Sequence, residues 1–255
     1  MKKKILALCL VVALAATAVI GGTLAYFTDT KEATNTFALG NVKIDLLETK
    51  RDGTAYVDGQ TLLPIVGSAQ GEKDQYGYPV AKNYIDKTVD VKNTGSQNAY
   101  VRVIFAFPAK MDDAQSAAEM MLHWNYLDTE PAGTWTRQDI GQKITVGGEE
   151  YNLYVDTYNA VLAPNATTEY PAISGVYLDS RVDATSDKDG NITYTMVNGR
   201  NETVTATYAK GTQPKLLVAA QAVQAAGFDN AATALKEGFG DITATNNPWV
   251  TAPQA

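Results

Sequence analysis

Cysteine and histidine are nearly missing from this chain. Its 255 residues include one cysteine, Cys9, and one histidine, His123. Cys9 lies in the apolar N-terminal stretch, so beyond residue 25 there is no thiol. That excludes disulfides, thiol nucleophiles and cysteine-ligated metal. One histidine cannot build a His-x-Glu-x-x-His zinc helix, and it would have to be the sole base for a serine nucleophile, for which no Gly-x-Ser-x-Gly elbow exists. A glycine-rich phosphate loop is absent as well, and no basic cluster follows Lys4. The formal net charge is −7, and an acidic surface repels phosphate backbones, so nucleic acid is not an expected partner. Neither a cofactor nor enzymatic activity is expected.

What the chain does carry begins at Met1. Lys2, Lys3 and Lys4 form a basic start, residues 5–20 run apolar, and Gly21-Gly22 breaks the run before the small-x-small site Thr23-Leu24-Ala25. Residues 1–25 therefore read as a signal peptide, cut between Ala25 and Tyr26, and the mature chain is not expected to stay in the membrane. Removing the three lysines takes the formal charge to about −10. The remaining residues, 26–255, suit one all-β domain.

Alternation supports that class. Val42, Ile44 and Leu46 share one face of a half-buried strand. Residues 88–92 and 99–107 flank the turn residues 93–96 and read as a hairpin, the second strand apolar enough on both sides to be central in a two-layer core. Further strands are expected at 142–146, 151–158, 173–178, 192–197, 202–208 and 215–222. Gly147-Gly148 marks a tight hairpin, Pro164-Asn165 a corner, and Asp189-Gly190 and Asn198-Gly199 type I′ turns. Two short helices interrupt the strands, at 112–122 and at 230–237, the latter with Asn230 as N-cap and Gly238 at its end. The reading is an all-β, two-sheet antiparallel sandwich with a few short helices.

The residues after the cleavage site carry a resemblance. Ala25-Tyr26-Phe27-Thr28-Asp29, then Phe37-Ala38-Leu39-Gly40-Asn41-Val42-Lys43-Ile44, resembles the start of the TasA/camelysin family. Two later blocks agree, Val91-Lys92-Asn93-Thr94-Gly95 with Tyr100-Val101-Arg102-Val103, and Ala222-Val223-Gln224-Ala225. The resemblance implies a jelly-roll sandwich secreted by Gram-positive bacteria, cut by a SipW-type signal peptidase and polymerising into biofilm matrix fibres. It also implies that residues 26–37 act as a donor strand that leaves its own subunit and completes a sheet in the next, with Tyr26, Phe27 and Phe37 as anchors. Self-association is then the principal partnership, with accessory matrix proteins beside it, in the extracellular matrix or at the cell surface.

Other chemistry is weaker. Asp187 and Asp189, before Gly190, begin like a calcium loop, with Asp179 and Asp183 as further ligands, but the chain runs straight into an apolar strand and a hairpin tip is the simpler reading. Carboxylates near Glu149, Glu150 and Asp156 could serve glycoside hydrolysis only at a separation the sequence does not give. His123 reads as a satisfied histidine beside aromatics. The alternative function is a monomeric surface adhesin or carbohydrate-binding module with an aromatic platform from Trp124, Trp135 and Trp249; a secreted hydrolase or metallopeptidase comes third.

Overall fold

The computed structural model describes residues 28–32, 35–36, 42–57, 60–67, 71–74, 77–112, 119–125 and 134–251. In chain order the elements are β1 (Thr28–Glu32), β2 (Asn35–Thr36), β3 (Ile44–Thr49), β4 (Ile85–Asn93), β5 (Ala99–Pro108), α1 (Ala109–Asp112), β6 (Leu122–Asn125) and β7 (Trp135–Val146). There follow β8 (Glu149–Tyr158), β9 (Ile173–Leu178), β10 (Asp183–Ser186), β11 (Ile192–Val197), β12 (Thr203–Tyr208), β13 (Leu217–Gln224), α2 (Ala231–Phe239) and α3 (Pro248–Thr251). Strand pairing is antiparallel in every named pair.

Six strands form one sheet in the order β2-β1-β13-β5-β8-β7, and four form the second, β3-β4-β9-β6. They share one core: Val101, Val103, Phe105 and Phe107 of β5 and Val218, Ala220 and Ala222 of β13 cluster with Ile44, Val89, Val91 and Ile173 of the smaller sheet. The alternating residues Ile104 and Ala106 instead join Leu153, Val155 and Ile242, while Tyr100 and Val223 join Ala231, Ala234 and Leu235 of α2. Both faces of the larger sheet are thus covered, which is why all ten residues of β5 are buried. A strand in the middle of three layers must be apolar on both sides, and this one is.

The expected hairpin between residues 88–92 and 99–107 is not formed. β4 and β5 lie in different sheets, and Asn93 builds the corner between them. Its Nδ2 donates to the carbonyls of Gln97 (2.8 Å) and Leu162 (2.9 Å), and its Oδ1 accepts from Gly95 N–H. The turn residues were legible, but the direction of the exit was set by tertiary partners. A third sheet, β10-β11-β12, adds to the two expected. It lays Tyr194, Met196, Ala206 and Tyr208 onto the main core.

The two type I′ expectations are also corrected. A type I′ turn needs positive φ at both central residues, whereas positive φ falls on Gly190 (84°) and Asn201 (62°) and not on Asp189, Asn198 or Gly199. Both loops share one plan. The Asp187 carboxylate accepts from the N–H groups of Asp189 and Asn191, and the Asn198 side-chain oxygen accepts from those of Arg200 and Glu202. The side chain closes the loop, and one left-handed residue finishes it.

Of the helices, α2 begins as expected, with Asn230 accepting from Thr233 N–H, but it runs through Gly238 and ends at Gly240, where φ is 76°. The helix expected over 112–122 overlaps α1 at Asp112, residues 113–118 lie outside the described residues, and its far end is not helical. Met121 N–H donates to Met111 O, Asp179 N–H donates to Met121 O, and Leu122 starts β6. α1 takes the Met121 N–H, and from Leu122 onward the chain pairs with β9.

β9 shows how tightly the smaller sheet is covered. At Gly175 an added Cβ would overlap Tyr84 Oη and the adjoining ring atoms. Gly175→Ala is therefore expected to displace Tyr84 and lower stability by about 1–3 kcal/mol, the usual cost of overpacking. Chemical denaturation measures it, and an unchanged midpoint would show that the ring moves freely.

Candidate functional site

The segment of greatest interest is β1. Its attachment is through backbone pairing with β13, in the register Thr28 with Val223, Asp29 with Ala222, Thr30 with Gln221, Lys31 with Ala220 and Glu32 with Ala219. Outside it, among the described residues, lies the two-residue β2, paired through Lys31 with Thr36 and Glu32 with Asn35. A five-residue strand held mainly on one side gains a handful of backbone hydrogen bonds, each worth about 0.5–1.5 kcal/mol net.

β13 offers a small-residue floor to whatever lies beside it. Ala220 and Ala222 reach the main core, and Ala219 and Gln221 lie on the opposite face. Gln221 is tied to a buried cation that strand alternation conceals. Arg102, 5 % exposed on β5, donates from Nε to Gln221 Oε1 at 2.7 Å and from Nη1 to Gly240 O at 3.1 Å, with its guanidinium over the Phe239 ring. Burial pulls its pKa down to about 10, with Asp241 opposing. Arg102 thus links β5, β13 and the end of α2 directly beside the β1 position. Alternation does not mark it, because a polar residue in an alternating strand reads as solvent-facing.

The proposed cleavage residues Ala25 and Tyr26 and the anchors Phe27 and Phe37 lie outside the described residues. Asp187 and Asp189 sit at the β10–β11 hairpin tip. There Asp187 also accepts from Asn191 Nδ2 at 2.8 Å, and these hydrogen bonds, led by Asn191, hold its pKa below the ordinary carboxylate value. Asp187 is committed to closing the turn. Among the described residues no group of three or more His, Cys, Asp or Glu is placed to hold a metal ion.

His123, on β6, stacks on Tyr177 with ring centroids 5.0 Å apart, and its Nε2 is 3.1 Å from Asp179 Oδ2. Arg181 grips the same carboxylate through Nε (2.8 Å) and Nη2 (2.9 Å). Burial lowers the His123 pKa and Asp179 opposes that. The arrangement matches a satisfied histidine. The three tryptophans do not form a platform: Trp135 is 7 % exposed in the main core, Trp124 stacks on Phe107 at 4.1 Å, and Trp249 packs against the cluster around Ile242. A cleft of about 260 Å³ lies between α1, the β7–β8 hairpin and β12, lined by Lys110, Lys143, Glu119 and Glu150 together with Met111 and Met121. Its charges are of both signs.

What these observations define is an all-β sandwich whose first strand completes a sheet edge by backbone pairing. Comparison with known families points the same way: a model of the camelysin metallo-endopeptidase family matches residues 1–58. The resemblance to the TasA/camelysin family is borne out over that stretch, which runs from Met1 past β3. Neither the curated proteins nor the solved structures contain a match to the chain.

The name of that family implies a catalytic metal, and the residues here do not fit one. No histidine falls within residues 1–58. The lone His123 lies on β6 and shares Asp179 with an arginine, a donor set unlike the two histidines and a carboxylate of a peptidase zinc. Among the described residues no helix is long and apolar enough to cross a membrane.

Proposed function

We propose that this chain is an exported structural protein whose copies join head to tail, through exchange of the N-terminal strand, into fibres of an extracellular biofilm matrix. The observation that carries this reading is the attachment of β1, five residues held to β13 by backbone pairing; in this reading they stand just after the cleavage site. Backbone hydrogen bonds do not distinguish one copy from another, so the same segment of a neighbour fits the same place.

The physical logic rests on what exchange conserves. Replacing the chain's own β1 by a neighbour's leaves the count of hydrogen bonds and the buried area on β13 unchanged, so the balance depends on concentration and on contacts made by flanking residues. Tyr26, Phe27 and Phe37 would supply those contacts and set the register. Removal of the leader frees the strand to thread the next subunit, which assigns a role to a SipW-type peptidase. One site giving and another receiving makes the contact heterologous, and such contacts grow open filaments where the rotation does not close. The function is assembly, with no catalytic step.

The test uses two chains, one beginning at Tyr26 and one at Ala38, each examined by negative-stain electron microscopy and circular dichroism. Filaments are expected from the first, and β-rich protein without filaments from the second. A synthetic peptide of residues 26–37 is expected to stop growth of the first by filling the β13 edge. Filaments from both chains, or folded monomers from both, would overturn the proposal.

A further inference from the structure

A sheet edge left open is a template for another chain, and three of the edges here are guarded. β7 carries a register break between Asp139 and Lys143 and a series of charged side chains. β3 is covered from Lys50 onward, where Tyr56 N–H donates to Glu48 O and Lys50 N–H to Thr54 O. β12 lies against α1, and Lys110 Nζ sits 5.4 Å from the Tyr208 ring centroid.

β10 is different. All four residues, Asp183-Ala184-Thr185-Ser186, are exposed, with no proline, no lysine and no bulge in its pairing with β11. Asp187 N–H donates to Asn191 O, so by alternation Thr185 and Asp183 turn their backbone groups toward β11 while Ala184 and Ser186 turn theirs outward. On the outer face β11 and β12 present only threonines and Val197, and β10 adds one charged residue, Asp183, opposite Thr195. Thr193 pairs with Thr207 and Thr195 with Thr205, with Val197 opposite Thr203 and Thr185 opposite Thr193. On a chain of net charge −7, this is a surface where a second copy meets little repulsion.

We propose that β10 pairs edge to edge with β10 of a second copy of this chain, antiparallel and centred on Ala184, to make one continuous six-stranded sheet. Charge selects that register. Outward backbone groups at even positions allow Ala184 to face either Ala184 or Ser186 of the other copy. The second choice sets Asp183 against Asp187. The first sets Asp183 against Thr185 in a two-fold contact and keeps the carboxylates of the two strands from facing one another. Four residues give a weak contact alone and a strong one when copies are arrayed. The pairing does not depend on N-terminal strand exchange.

The chain from Tyr26 onward has no cysteine, so single-cysteine variants report the contact directly. Ala184→Cys is expected to form disulfide-linked dimers about tenfold or more faster than Val197→Cys, an exposed residue of the outer face, because pairing brings the two Cα atoms within disulfide reach. Ala184→Pro removes an outward N–H without touching the β11 ladder. It is expected to shift sedimentation toward monomer with an unchanged circular dichroism spectrum. Equal cross-linking of the two cysteine variants, or a proline variant that associates like the parent, would overturn the proposal. Filaments without Ala184→Cys dimers would leave strand exchange standing and remove this contact; dimers without filaments would do the reverse.

Discussion

Arg137→Ala is expected to destabilise the fold by about 3–5 kcal/mol, the cost of stripping a buried charge of its partner. Asp156, on β8, is 0 % exposed, and Arg137 on the neighbouring strand β7 holds it in a fork, Nε to Oδ1 at 2.7 Å and Nη2 to Oδ2. The same guanidinium reaches across the sandwich. Nη2 donates to Ala172 O at 3.3 Å just before β9, and the group stacks over Trp124 of β6 at 5.3 Å. Truncation thus leaves a carboxylate sealed between sheets and removes a tie between them. For a domain of this size the loss corresponds to roughly 10 °C in Tm. The double variant Arg137→Met with Asp156→Leu, which removes both charges, is expected to recover most of the loss. A single variant within about 1 kcal/mol of the parent would mean that water reaches Asp156 and that the pair behaves as a surface ion pair.

That pair also shows where sequence reading stops. Asp156 was visible only as one carboxylate near a hairpin, while Ile173–Leu178 and Ile192–Val197 were legible to the residue because alternation and turn residues mark strand limits locally. Whether two consecutive strands pair or part depends on partners far along the chain. Asn93 decides it for β4 and β5 by reaching Leu162, and no local pattern announces that bond. The third sheet escaped for a similar reason. Two of its strands, β11 and β12, are expected from the sequence and β10 is not, and their pairing only with one another is not a local property. Of the candidate site, the resemblance pointed to residues 26–37, whose anchors lie outside the described residues, and included Arg102 within a strand motif, whereas the bond from Arg102 to Gln221 came only from the fold. Both sit on strands whose second face is covered by α2 and the C-terminal segment around Ile242, a layer that turns apparent surface positions into interior ones.

A second large effect, of opposite sign, is expected at Asp90. This β4 residue lies under the long excursion between β3 and β4. Thr168 Oγ1 donates to its Oδ1 at 3.1 Å, while the same hydroxyl accepts from Val91 N–H at 3.2 Å. Burial pushes its pKa up to about 6, against which the Thr168 hydrogen bond works only in part. In the folded state the group therefore holds its proton at pH values where the unfolded chain, at 3.8, has released it. Linkage sets the sign. Between about pH 4 and 6 the native state binds more protons, so this group's contribution to stability falls as pH rises and stays unfavourable above pH 6. Asp90→Asn keeps an oxygen for Thr168 and removes the charge. It is expected to stabilise the fold at pH 7 by about 1–3 kcal/mol, the free-energy equivalent of a shift of one to two pKa units. The gain over the parent should shrink toward zero by pH 4, where the parent's carboxyl is already neutral. Paired urea titrations at pH 7, 5.5 and 4 measure this directly. A difference that is constant across the three would assign the effect to packing, and a destabilised variant at pH 7 would mean that the ionised carboxylate has a partner worth more than its desolvation costs.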